Sequence, residues 1–212
     1  MLNPASLTLQ HWLSPAFPTG AFVYSHGLEQ VVARGEVTDA DSLEIWLVDL
    51  LCFGTGWQDA VLLSLALGDP ENLDLIDSIA VALQTCSERL REAQEQGGAF
   101  ARTISQITGR DLPARCLPIA LAEAALPLDL PRDVVIAAYL QAFLTNLATI
   151  AIRHVPLGQG AGHGVLARCL ERVPDIAQNA SLAQIEALGN SCLSADLAAM
   201  EHETKEVRLF RT

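Results

Sequence analysis

Apolar residues recur at intervals of three and four positions along most of the chain, which is the spacing that places them on one face of an α-helix. The clearest run extends over residues 43–65. Gly54 and Gly56 interrupt this run, so we expect a kink there or two abutting helices. Thr38 and Asp41 have the spacing of a capping box and predict where the run begins.

The same spacing predicts helices through the rest of the chain. Residues 72–95 are expected to form one or two helices, a break is expected at Gly97 and Gly98, and residues 99–108 resume the pattern. A glycine-rich stretch, residues 158–164, is predicted to be a loop between helices. Shorter helices are predicted over residues 113–125, 165–172, 177–188 and 195–203.

Residues 133–154 are apolar on almost every face and are long enough to span a membrane. Asp133 and Arg153 at its ends, and the polar residues between them, instead favour a buried central helix. No alternating run of β-branched residues predicts a strand. We therefore predict an all-α fold, a single-domain bundle of roughly eight to ten helices over residues 1–212, with flexible segments at about residues 1–10 and 204–212.

The composition narrows the possible functions. The chain has 212 residues, a formal net charge of −12 and a pI near 4.7. Binding to nucleic acid and docking on an anionic membrane both need a basic surface, so both functions are excluded. The charge is uneven, because residues 1–100 contain 14 acidic and three basic residues whereas residues 101–212 are nearly balanced. The acidic half either keeps an apolar-rich protein soluble or meets a basic or metal-carrying partner.

The sequence motifs that usually carry catalysis or cofactor binding are missing. Residues 158–164 have the wrong glycine spacing for a dinucleotide-binding fingerprint and no lysine for a P-loop. His202 and Glu203 do not form an H-E-x-x-H metal motif, and Ser25 beside His26 lacks a placed third member of a triad. No two of the five cysteines have C-x-x-C spacing. This pattern indicates that their thiols are buried and that the protein lies in a reducing compartment. We expect a non-enzymatic, cytoplasmic protein with no catalytic, cofactor-binding or metal-binding residues.

Two segments are unusual for a helical protein. Residues 14–29, the N-terminal motif, place prolines, glycines and aromatic side chains before a helix. Gly27 is expected within that helix, where it would allow another helix to approach closely, so the motif is either a buried helix contact or a partner surface. Residues 205–212, the tail, are basic in an acidic protein. The tail is either a frayed end or a segment that orders on a partner, with Leu209 and Phe210 as anchors.

These two segments resemble the ends of the urease accessory protein UreF family. The family begins with a pattern similar to S-P-x-x-P-x-G-x-F-x-Y-S-x-G-L-E, which residues 14–29 match. It ends with a pattern similar to H-E-T-x-x-x-R-L-F-R-S/T, which residues 202–212 match. Residues 138–147 and 153–159 are similar to the long central helix of the family and the loop after it. The resemblance covers essentially the whole chain.

The resemblance implies a helical assembly factor without enzymatic activity, which forms a homodimer and binds UreD (also called UreH). Together the two would recruit the GTPase UreG and deliver nickel into apo-urease. Nickel is then cargo rather than a cofactor, and the partner GTPase binds the GTP. The resemblance places partner or dimer contacts at Pro18, Gly20, Tyr24, Ser25, Gly27, Glu29, Arg208, Leu209, Phe210 and Arg211.

The chain departs from the family pattern at two places, and two alternative functions remain open. Glu206 and Val207 stand where the family often has Tyr-Ser, and Ala21 follows Gly20 where Gly-Gly is commoner. The first alternative is an all-α enzyme or small-ligand carrier, which would place a cluster of ionisable side chains in a pocket. The second is a generic helical scaffold unrelated to urease.

Overall fold

The computed structural model of the protein describes residues 3–212, and within this range it contains helices and no strand. The predicted all-α bundle is thereby confirmed. The α-helices are α1 Pro4–Trp12, α2 Leu28–Ala33, α3 Ala40–Phe53, α4 Thr55–Gly68, α5 Leu73–Ala82, α6 Ser87–Thr108, α7 Leu117–Ala125, α8 Arg132–His154, α9 Gln159–Leu170, α10 Val173–Leu182 and α11 Leu193–His202. Short 3₁₀-helices span Ala21–Val23, Leu126–Leu128 and Ile185–Ala187. Of the segment 1–10 expected to be flexible, Met1 and Leu2 lie outside the described residues, and most of the remainder belongs to α1.

The apolar run over residues 43–65 forms two abutting helices, α3 and α4, as the glycines predict. Gly54 ends α3 and begins α4. The predicted capping box is wrong by one residue, because Asp39 rather than Thr38 is the N-cap. The Asp39 carboxylate accepts the backbone N–H of Ser42 at 2.9 Å, and the Ser42 hydroxyl accepts the N–H of Asp39 at 3.1 Å. This reciprocal pair satisfies two N–H groups that the first helical turn leaves free.

Helix α6 runs unbroken through Gly97 and Gly98, so the predicted break is wrong. The physical reason lies in packing. A Cβ atom on Gly97 would lie 1.9 Å from the carbonyl oxygen of Arg115, because the chain entering α7 crosses α6 at that point. The glycine lowers local helix propensity by about 1 kcal/mol but permits this close crossing.

The glycine-rich stretch 158–164 is also helical and forms the first half of α9, so the predicted loop is wrong. In this stretch too, a glycine permits a close contact between two helices. A Cβ atom on Gly162 would lie 2.2 Å from the Cγ1 atom of Ile152. Helix α9 therefore turns back directly across the end of α8.

Helix α8 is the central helix that the sequence predicts. It packs against α4, α9 and α10, and Leu140, Leu144 and Leu147 are completely buried. Two stretches, Ala40–Gly68 and Arg132–His154, are long and apolar enough to cross a membrane by length and composition alone. In the apolar windows of these stretches, 61% and 50% of the residues are buried inside the protein, which is typical of core helices.

The glycine pair in α6 gives a matched test of this packing. Replacing Gly97 with alanine forces the Arg115 backbone away, and we expect destabilisation by about 1–3 kcal/mol. Replacing Gly98 places the new Cβ no closer than 3.4 Å to a neighbouring side chain. We expect that variant to gain about 0.5–1 kcal/mol from helix propensity. Thermal unfolding monitored by circular dichroism distinguishes the two variants. Equal unfolding midpoints for both variants would contradict the close crossing of α6 by the chain entering α7.

Candidate functional site

The two segments that are unusual in the sequence meet in space. The backbone N–H of Ser25 donates to the carbonyl oxygen of Thr212 at 3.0 Å, and the N–H of Arg211 donates to the carbonyl oxygen of Val23 at 2.6 Å. The Ser25 hydroxyl also donates to the Thr212 carbonyl oxygen. Thr212 is completely buried by these contacts. We call this contact region the end junction. It consists of residues 20–29, the face of α6 from residue 88 to 95, and residues 202–212.

Glu29 lies at the centre of the end junction. It is on the first turn of α2 and is 2% exposed. Its carboxylate accepts the backbone N–H groups of Leu209 at 3.1 Å and Phe210 at 2.9 Å, and it pairs with Lys205 Nζ at 2.9 Å and His202 Nε2 at 3.2 Å. Burial alone would raise the pKa of Glu29, but the bonds from Lys205, Phe210, His202 and Leu209 together lower it to about 2. Glu29 is therefore ionised and fixes both the backbone and the side chains of the tail.

A row of glutamates on α6 pairs with the tail along its length. The row has the spacing i, i+4, i+7, which places its members on one helix face. The pairs are Arg208 with Glu88, Thr212 Oγ1 with Glu92 at 3.1 Å, and Arg211 with Glu95 at 3.0 Å. Acids of the N-terminal half of the chain and bases of the tail therefore pair within one molecule.

His202, at the end of α11, joins the acidic groups of two helices. It is completely buried, with Nδ1 lying 2.7 Å from Glu88 and Nε2 lying 3.2 Å from Glu29. The two ring nitrogens of His202 therefore connect Glu29 of α2 with Glu88 of α6.

Tyr24 and His26 connect the N-terminal motif to α6. The Tyr24 hydroxyl donates to Glu95 at 2.5 Å, and burial followed by that carboxylate raises the pKa of Tyr24 to about 12. His26 Nε2 lies 2.8 Å from Glu92. Burial, and then the charge of Arg89, lowers the pKa of His26, so its ring is neutral near pH 7. In this arrangement Ser25 and His26 bind the tail and α6 respectively.

Gly27 allows another helix to approach closely, as the sequence predicts, but its position relative to α2 differs from the prediction. It is the N-cap of α2 rather than an interior residue, and its φ of 80° is in the left-handed region that favours glycine. A Cβ atom there would lie 3.1 Å from both the Ala198 Cβ and the Ala199 backbone nitrogen of α11. Gly20, with a φ of 77°, begins the turn that leads to Val23, and Pro18 is exposed on the loop before it, outside the end junction.

The apolar side chains of the tail differ in their exposure to solvent. Val207 is 75% exposed and Leu209 is 68% exposed, although the Leu209 backbone is held by Glu29. Phe210 is half-buried and packs edge-on against His154, with ring centroids 5.7 Å apart. The end junction therefore combines a polar, anchored inner side with an apolar outer side.

Sequence reasoning found the two motifs but missed the residues that join them. These residues are Glu88, Glu92, Glu95, His202, Lys205 and Thr212. The available signal was the spacing of the three glutamates, since one helix face carrying acids in an acidic chain predicts a basic binding segment. Among residues 3–212, no group of three or more His, Cys, Asp or Glu side chains is arranged to hold a metal ion.

The fold and the end junction define a helical protein with an apolar surface on a tightly anchored tail, which is an arrangement suited to protein binding. Residues 37–170 match the model of the UreF family. The chain is 52% identical to a urease accessory protein UreF of Cereibacter sphaeroides, with both chains covered completely. It is 44% identical to the protein of that name from Paracoccus denitrificans (98% of this chain, 96% of the relative) and 42% identical to that from Roseobacter denitrificans (100% and 96%). The chain belongs to the UreF family of urease accessory proteins.

Removing the charge of Glu29 tests how the end junction is held. In Glu29→Gln the half-buried Lys205 loses its counter-ion and the buried His202 loses a carboxylate partner, and we expect destabilisation by about 2–4 kcal/mol. Glu36→Gln is the matched control, because Glu36 pairs with Arg34 at a site that is half exposed. We expect the control to change stability by less than about 0.5 kcal/mol. Urea unfolding measures both, and equal effects would contradict the central role of Glu29.

The end junction also predicts sensitivity to acid. Glu29 and Glu92 both have a pKa of about 2 in the folded chain against an ordinary value of 4.5. An acid with a lowered pKa stabilises the fold fully above its ordinary pKa, and this contribution is lost as pH falls towards the folded value. We therefore expect the free energy of unfolding to fall between about pH 4.5 and pH 2, and to fall less steeply in Glu29→Gln. Parallel pH profiles for the two proteins would overturn this prediction.

Proposed function

We propose that this protein is a non-enzymatic urease maturation factor that works by binding other proteins in the cytoplasm. In this proposal it binds UreD (UreH) and, with it, recruits the GTPase UreG to deliver nickel into apo-urease. The names of its relatives and the match at both chain ends support the proposal. The single observation that carries it is the tail, whose backbone is anchored while Val207 and Leu209 face solvent.

The energetics favour an anchored tail as a binding element. Burying two large apolar side chains in an interface is worth about 1.5–3 kcal/mol for each. A segment already held by Glu29 and the α6 glutamates loses little conformational entropy when a partner covers it. The tail would then act as a prearranged anchor.

The remaining roles in this proposal belong to the partners. The sequence has no P-loop, so GTP binding and hydrolysis fall to the GTPase UreG. Nickel is the cargo of the complex rather than a cofactor of this chain. The protein is proposed to act as a homodimer, so that one assembly would present two copies of the end junction.

Charged substitutions on the outer side of the tail test the proposal. In Val207→Asp and Leu209→Asp the new carboxylates face solvent in the free protein, so stability should change by less than about 0.5 kcal/mol. We expect binding to UreD to weaken by at least about tenfold, because each buried charge would lack a partner. Co-purification of UreD with the tagged chain measures this effect.

The control for this experiment is Leu182→Asp on α10. Leu182 is 70% exposed, as the two tail residues are, but it lies outside the end junction. We expect the control to bind UreD as the natural protein does and to restore urease activation in cells that lack this chain. Normal UreD binding by both tail variants would contradict the proposed surface.

A further inference from the structure

A cavity of about 380 Å³ lies between the N-terminal motif, α6 and α8. Aromatic rings form much of its wall, and three of them pack on one another. Phe100 lies edge-on to Trp12, with centroids 6.3 Å apart, and tilted against Phe17 at 5.4 Å. Phe143 of α8 also lines the cavity, edge-on to His26 with ring centroids 5.1 Å apart. The volume is in the range of cavities that hold small molecules.

Ionisable side chains form the floor of this cavity, which is the feature expected of the small-ligand alternative. Arg89 and Glu92 bind each other, and each is less than 10% exposed. The Asp59 carboxylate accepts a hydrogen bond from the Tyr139 hydroxyl at 2.6 Å. Because Arg89 and Glu92 neutralise each other, Asp59 is the unmatched charge of the floor.

Two polar atoms at the cavity have no hydrogen-bond partner within the described protein. They are His26 Nδ1 and Asn146 Oδ1. His26 is only 7% exposed, and its Nε2 lies 2.8 Å from Glu92 and 3.2 Å from Arg89. The shorter contact is to a carboxylate, which only accepts, so we assign the hydrogen of the neutral ring to Nε2 and a lone pair to Nδ1. Asn146 donates through Nδ2 to the carbonyl oxygen of Ala21 at 3.0 Å, which leaves its oxygen free. Both atoms are acceptors, and a buried acceptor without a donor carries a cost in free energy.

We propose that this cavity binds a small organic cation, an ammonium, amidinium or guanidinium group on an apolar stem. The stem would lie against the aromatic wall, where the ring faces also attract a cation. The N–H groups of the ligand would donate to His26 Nδ1 and Asn146 Oδ1, and its charge would balance Asp59. A metal ion fits less well, because no cluster of three His, Cys, Asp or Glu ligands occurs among residues 3–212.

Three ligands of nearly equal shape test the proposal on the natural protein. Benzamidine carries the cation on an aromatic stem, benzamide is its neutral counterpart and benzoate carries the opposite charge. Calorimetric titration at pH 7.5 should show saturable binding of benzamidine to one site, at least about tenfold tighter than that of benzamide, with benzoate weakest. No binding of benzamidine, or equal binding of benzamidine and benzamide, would overturn the proposal.

Variants and pH locate the binding within the cavity. Asp59→Asn keeps the acceptor for Tyr139 but removes the charge, and should weaken benzamidine binding about tenfold. Asp41→Asn, on the solvent side of α3, should leave it unchanged. Burial raises the pKa of Asp59 to about 6 despite the bond from Tyr139, and Arg89, Glu92 and His26 face the same space. Binding to the natural protein should therefore weaken as pH falls below about 6, and binding that is independent of both pH and Asp59 would contradict the assignment.

Discussion

The end junction depends on one buried carboxylate. Glu29 takes two backbone N–H groups, an ammonium group and an imidazole ring from residues more than 170 positions away in the chain. An ionised group with this exposure is stable only when such partners surround it. The position of the tail backbone at Leu209 and Phe210 therefore depends on a single side chain and the groups that surround it.

The arrangement accounts for part of the uneven charge of the chain. Three acids of residues 1–100, Glu29, Glu88 and Glu95, pair with the three basic residues of the tail. Ion pairs on an exposed surface contribute little, and the outer pair of Arg211 with Glu95 is of this kind. The pairs of Glu29 and Glu88 are more strongly shielded from water, so they decide the register in which the tail lies. With the polar atoms turned inward, Val207 and Leu209 are left as the apolar surface.

The helices follow from local periodicity, and the exceptions follow from tertiary contacts that periodicity does not encode. Gly97 and the stretch 158–164 resemble helix breakers, yet both lie in helices. Glycine is required at Gly97 and Gly162 because Arg115 and Ile152 pack where a side chain would otherwise stand. The two end motifs could be recognised in the sequence as unusual, and Gly27 as a contact point. The α6 glutamates lie 116 to 120 positions from the tail residues that they bind, so their spacing indicates a basic binding segment but not which segment binds there. The ionisable floor of the cavity is equally non-local, since Asp59, Arg89 and Tyr139 come from three helices.

The most direct test of this account is amide hydrogen exchange in the tail of the natural protein near pH 7. Residues 205–212 contain no helix, so helical hydrogen bonds do not protect their amides from exchange. Only specific acceptors can slow the exchange of these amides. We expect the amides of Leu209 and Phe210, which donate to Glu29, to exchange much more slowly than the amide of the neighbouring Val207. Equally fast exchange at all three positions would show that the tail is not held by Glu29 and would contradict the account.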